Sequence, residues 1–333
     1  MSEKYGPRPP WHDIQLAIRG PAVGDVEYSF RERWDDPTPV TRNPFYRLAD
    51  LVRREDDRPD PLPPQWPDPP PCGTGAVQVL RTYPYRRGGY PFAPRGERSV
   101  ARGYSKALRQ AEQLIYFEDQ YLWSARVAES FAEALAANPD LRLIAVVPMY
   151  PDQPGMLAEA TELKGRGQAL ATLYAAGGDR VAVYGLENHA GTPVYVHAKV
   201  CVLDDTWLAV GSDNFNLRSW THDSELSCAV LDEGGDLART TRLALAREHL
   251  DRAEGDDADL VDPVEAFTAF GKAADELDAW HAGGRVGPRP PGRLRRYRVP
   301  AAPRWARAMA TLLYPTFFDP DGRPRPVRGT REF

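Results

Sequence analysis

Cysteine is scarce in this chain: Cys72, Cys201 and Cys228 are scattered over 333 residues. That spacing excludes a disulfide framework or a cysteine metal cluster and leads us to expect a reducing, cytoplasmic compartment. No run approaches 18 consecutive apolar residues, so no membrane-spanning helix is expected. The opening stretch, Met1 to Pro10, has no apolar core and does not read as a signal peptide. Lysine is nearly absent too: of 42 basic residues only those at 4, 106, 164, 199 and 272 are Lys. The net charge of −5 is unevenly spread, because residues 285–333 set twelve Arg against Asp319, Asp321 and Glu332. That tail carries +9, so the first 284 residues carry −14. So acidic a body argues against nucleic acid as partner, while the basic tail suits anionic headgroups or plain solvation.

With lysine so rare, its positions carry information. Lys199 belongs to the spacing His197-x-Lys199-x4-Asp204-x6-Gly211-Ser212-x-Asn214. Strand alternation puts His197 and Lys199 on one face. Val200, Val202 and Leu203 continue the strand, Asp204-Asp205 reads as a tight turn, and Trp207–Val210 as the returning strand. Gly211-Ser212-Asp213-Asn214 then forms a loop of small and amide residues that lets a ligand approach the backbone. An imidazole, an ammonium and polar donors so gathered suit a phosphodiester: the cation for a non-bridging oxygen, the histidine for attack or proton transfer. The plain alternative is a buried hairpin with an unrelated His and Lys.

This spacing resembles the HKD signature of the phospholipase D superfamily. The stretch that follows, Arg218-Ser219-x3-Asp223-Ser224-Glu225-Leu226, is also similar to that family. The resemblance implies an α/β fold, an α-β-α sandwich around a mixed sheet, and a two-step displacement through a phosphohistidine, with no metal or other cofactor. It implies a catalytic group of His197, Lys199, Asp204 and Glu225. His197 would be nucleophile or acid/base, and Glu225 (or, second, Asp223) would orient it, since such carboxylates fix the imidazole tautomer. Asp204 would hold its turn. Substrate contacts would come from Ser212, Asn214 and the loop at Gly211. Glu118-Asp119-Gln120 resembles a Glu-Asn-Gln segment of the family, which adds Glu118 as a site-lining residue, and Arg247-Glu248-His249-Leu250 resembles another family segment.

Trp11-His12-Asp13, with the apolar strand and helix after it, resembles the segment following the first HKD motif of two-motif enzymes. There Asp13 would orient a first catalytic histidine, yet no His-x-Lys-x4-Asp precedes it. The chain thus reads as one full half plus a remnant: residues 1–57 a remnant of an N-terminal half, 58–71 a linker with eight Pro in fourteen positions, 72–284 the HKD-bearing half, 285–333 the basic tail. The expected elements are an amphipathic helix with Val23, Val26, Phe30 and Trp34 on its apolar face, a helix over 44–54, then alternating strands and helices to 281. Arg304–Phe318 would dock on the domain or lie on a bilayer. The expected activity is phospholipid headgroup cleavage, such as phosphatidylcholine to phosphatidate, with water or an alcohol as acceptor. The alternatives are an incomplete phosphate- or lipid-binding chain, or a nuclease-type phosphodiesterase acting as a dimer; the full site would need a homodimer or the missing N-terminal half.

Overall fold

Strands with apolar residues at consecutive positions have no face fit for water, so they require cover on both sides. The computed structural model shows that cover. It describes residues 2–37, 59–86, 89–152, 155–328, 330, 332 and 333, with single positions 45, 48 and 52 between. The helix expected over 44–54 falls outside these residues except at positions 45, 48 and 52.

The strands are β1 (Trp11–His12), β2 (Ala76–Tyr83), β3 (Glu97–Arg98), β4 (Leu114–Asp119), β5 (Arg142–Val146) and β6 (Val181–Glu187). They continue with β7 (Pro193–Val196), β8 (Lys199–Leu203), β9 (Trp207–Gly211), β10 (Glu225–Leu231) and β11 (Leu294–Arg296). They form one mixed sheet in the order β1-β7-β6-β5-β4-β8-β9-β10-β2-β3, with β11 paired to β6. The β4-β5-β6 core is parallel, and the arm from β8 outward is antiparallel.

The helices are α1 (Ala22–Trp34), α2 (Ser99–Leu108), α3 (Ala125–Ala137), α4 (Met156–Gly177) and α5 (Leu217–Thr221). After these come α6 (Asp236–Leu250), α7 (Ala258–Val261), α8 (Pro263–Ala282) and α9 (Arg304–Leu313). Alternation along β4 sends Ile115 and Phe117 into a core shared with α2, α3 and α4. Leu114 and Tyr116 point the other way, into a core shared with α6 and α8. That is the expected α-β-α sandwich.

Two local features position the site. Asp204 and Asp205 both take positive φ, 49° and 56°, and Thr206 N–H donates to the Leu203 carbonyl at 3.0 Å, closing a tight three-residue connection between the paired Leu203 and Trp207. At the end of β9, a Cβ on Gly211 would collide with Ser227 of β10, so only glycine lets these strands pair at the loop.

The α1 helix departs from expectation. Its intended apolar face is not covered: Val23, Phe30 and Trp34 are exposed, and only Gly24 and Ser29 are buried. No helix among the described residues is long and apolar enough to cross a membrane.

Candidate active site

His197 lies not within a strand but at a break. Residues 197 and 198 separate β7, which pairs with β6, from β8, which pairs with β4. The chain there passes across the end of the parallel core, the usual place for a ligand in such sheets. Parallel to β7 runs β1, joined through Tyr195 N–H to Pro10 O and His197 N–H to His12 O, both at 2.8 Å.

That pairing delivers Asp13. Its Oδ2 lies 2.8 Å from Nδ1 of His197. Burial works against the charge on Asp13, but the hydrogen bond from His197 helps hold its carboxyl below the usual range. A carboxylate accepts only, so Nδ1 carries the proton, and in the neutral imidazole the lone pair then lies on Nε2. Trp11 and Tyr195 flank the imidazole, with ring centroids 4.9 Å and 6.3 Å from it.

The expected orienter sits elsewhere. Glu225 accepts from Ser212 Oγ at 2.5 Å, and burial pushes its carboxyl up to about 7. Asp223, the second choice, is held by Arg218. The partner that sequence reasoning reserved for an absent first histidine thus serves His197 instead.

Lys199 is only 8 % exposed, with Nζ donating to Gln120 Oε1 at 2.8 Å and to the His197 carbonyl at 2.6 Å. Burial lowers its pKa, while the carboxylates of Asp119, Asp13, Glu225 and Asp213 oppose the shift. Asn214 is buried, and its Oδ1 has no hydrogen-bond partner among the described residues. Gly211 ends β9, and Ser212 and Asn214 follow it in the loop at that end of the strand. Asp204 stands at the opposite end of β8, its carboxylate accepting from the backbone N–H groups of Glu112, Gln113 and Leu114 at 2.7–2.8 Å. It secures the turn and the start of β4.

Glu118 does not line the site, because it is wholly buried. His12 Nε2 donates to its Oε2 at 2.5 Å, His249 Nε2 to its Oε1 at 2.7 Å, and Tyr116 O–H also reaches Oε1 at 2.5 Å. Burial opposes charge on His12, yet the adjoining Glu118 carboxylate prevails and lifts its pKa to about 10. Burial likewise opposes ionisation of Glu118, and the two imidazoles override it, holding the carboxyl well below its usual range. Among the described residues this is the one cluster with the composition and spacing of a cation site. Its nitrogens are at direct hydrogen-bond distance from separate Glu118 oxygens, closer than two ligands of one zinc ion stand to each other. Among the described residues, His249 Nδ1 is buried without the outer partner that a metal-bound imidazole normally has. The geometry is that of a clamp joining β1, β4 and α6. Sequence reasoning missed it, although its histidines sit in Trp-His-Asp and Arg-Glu-His-Leu, both singled out as motifs.

Comparison with known proteins matches residues 104–244 to the family model "Cardiolipin synthase, PLD-like domain" and residues 1–54 to "Phospholipase D". Phospholipase D alpha 2 of Oryza sativa is 26% identical over 384 residues, covering 89% of this chain and 46% of the rice protein. Human Phospholipase D1 is 26% identical, over 78% of this chain and 28% of its own length. The chain thus spans less than half of either relative. Among solved structures, phosphatidylserine synthase of Haemophilus influenzae aligns with a TM-score of 0.43 at 15% identity, over 75% of this chain and 55% of that one. The phospholipase D family member Nuc of Salmonella typhimurium aligns at 0.36 and 15%, over 50% of this chain and 90% of that one.

Proposed function

Because this chain belongs to the phospholipase D superfamily, we propose that it is a phospholipase D-type phosphodiesterase. Its substrate is the headgroup phosphodiester of phospholipids such as phosphatidylcholine. The observation that carries this reading is the 2.8 Å Asp13–His197 pair, which leaves Nε2 as the nucleophilic nitrogen.

In the first step Nε2 forms a bond to phosphorus, the P–O bond to the headgroup breaks, and the departing alkoxide takes a proton from an acid. In the second step water or another alcohol attacks phosphorus and the P–N bond breaks. The acid, now a base, takes the incoming proton, and phosphatidate or its ester leaves. Lys199 and Asn214 stabilise the charge on the phosphoryl oxygens, with Ser212 assisting.

The acid is a second histidine that the chain does not offer at the site. His12 and His249 are bound to Glu118, His189 to Asp251 and His281 to Glu187, while His222 is exposed on the loop before β10. We assign the acid to a second HKD half, from a partner copy or from sequence that the longer relatives carry. Glu225, a carboxyl at the site that His197 does not use, is available to orient it.

The test is choline release from phosphatidylcholine vesicles by the full chain, measured with its mass in solution. His197→Asn is expected to abolish release, and Asp13→Asn to lower kcat about a thousandfold or more with little change in KM. Release that survives His197→Asn overturns the assignment. Lipid binding without release, at every assembly state sampled, supports the non-catalytic alternative.

A further inference from the structure

The basic tail is less free than its composition suggests. Arg289, Arg293, Arg295, Arg296 and Arg323 are all spent on internal carboxylates. Arg304 and Arg307, on α9, have no carboxylate partner among the described residues. No Asp or Glu occurs between Val299 and Phe318.

The α9 helix rests on α4 through Ala306 and Ala310, which pack with Ala160. At 100° per residue, Trp305, Met309 and Leu312 fall within one narrow stripe beside that contact. They are 55%, 45% and 70% exposed, and Phe317 in the following turn is 68% exposed. Arg304 and Arg307 project roughly 100° and 160° round the helix from Trp305, on the side that faces a groove with α4. Between α4 and α9 runs an open groove of about 780 Å³ whose charged lining is Lys164, Arg304 and Arg307. The α1 helix also exposes aromatic residues, but Asp25, Glu27 and Glu32 lie among them.

From this juxtaposition we infer that α9 is a membrane-docking element for anionic lipid surfaces. Trp305, Met309, Leu312 and Phe317 enter the interface, and the long side chains of Arg304 and Arg307 reach round the helix from the groove to lipid phosphates. Amphipathic helices with aromatic and basic residues bind bilayer surfaces in this way. The uneven charge adds orientation, since an anionic surface attracts the tail and repels the acidic body. The element is tied to the site: Tyr314 O–H donates to the Trp123 carbonyl, Gly165 leaves room for that ring, and Trp123 stacks on Tyr121 at the end of β4. Docking through α9 would therefore set the His197 cleft at a fixed height above the lipid. The inference rests on the phospholipid reading for its choice of surface, but its test needs no turnover.

The experiment is co-sedimentation of the full chain with vesicles of phosphatidylcholine alone and with added phosphatidylserine. Binding is expected to the phosphatidylserine vesicles and to weaken with salt. W305S/M309S/L312S is expected to weaken it about tenfold or more, and Arg304→Gln or Arg307→Gln about fivefold each. Hydrolysis of a water-soluble phosphodiester by the triple variant should match the wild type. Equal binding by the triple variant overturns the inference, as does a wild-type dimer that the same substitutions dissociate. Binding with no hydrolysis of any phosphodiester supports the docking face and counts against the catalytic reading alone.

Discussion

Glu225 shows how a single carboxyl reports on its surroundings. Burial raises its pKa from the ordinary 4.5 to about 7, against hydrogen bonds from Ser212 and Ser219. A folded-state pKa above the unfolded one means that the native state holds the extra proton. Stability should therefore fall as pH rises from about 4.5 to 7 and level off above, by on the order of 2 kcal/mol. Chemical denaturation across that range should show the slope in the wild type and lose it in Glu225→Gln. A slope unchanged by the substitution would place the titration elsewhere. The same residue marks a limit of sequence reasoning. The motif around Arg218 and Glu225 was legible, but which histidine a carboxylate serves depends on which strands meet, and β1 pairing with β7 cannot be read from spacing.

Among the elements, β1 is the least self-sufficient, since two residues and two backbone hydrogen bonds cannot hold a strand in place. The Glu118 clamp supplies the rest. Removing one partner of a buried, hydrogen-bonded charge pair costs about 3–5 kcal/mol, so Glu118→Gln should lower the melting temperature sharply. The pH dependence has two signs. His12, raised from 6.5 to about 10, contributes fully below 6.5 and loses its contribution as pH climbs toward 10. Glu118, depressed from 4.5, contributes above 4.5 and is lost in acid. The clamp should thus contribute most between about pH 4.5 and 6.5, and Glu118→Gln should flatten the profile on both sides. A chelator should leave the melting temperature unchanged; a drop would mean that the cluster holds a cation. Sequence periodicity found the strands and helices of the sandwich because their apolar residues face the two cores. It found neither this clamp nor the exposed face of α1, since a buried His and an uncovered Phe30 depend on packing partners distant in sequence.

For the molecule as a whole, the sheet draws in both ends of the described chain. Residues 11 and 12 form its edge beside β7, and β11, from the basic segment, pairs with β6 while burying Leu294. Arg289 and Arg295 then neutralise the buried Glu187 at the end of β6. Deleting residues 285–333 should consequently lower the melting temperature of the entire domain, as followed by circular dichroism. An unchanged transition would show the segment to be an appendage. The fold class and the HKD loop were legible because they rest on local patterns; the attachment of the termini was not, because it rests on long-range pairing.

The contact between Asp13 and His197 spans 184 positions of sequence. During synthesis at about 5–20 residues per second, Asp13 would wait roughly 10–40 s for its histidine to emerge. The imidazole therefore acquires its orientation only after β4, β5 and β6 can already have formed. Nucleophile activation is in this sense a late event in the birth of the protein, and a nascent chain that stops short of β7 carries no primed histidine.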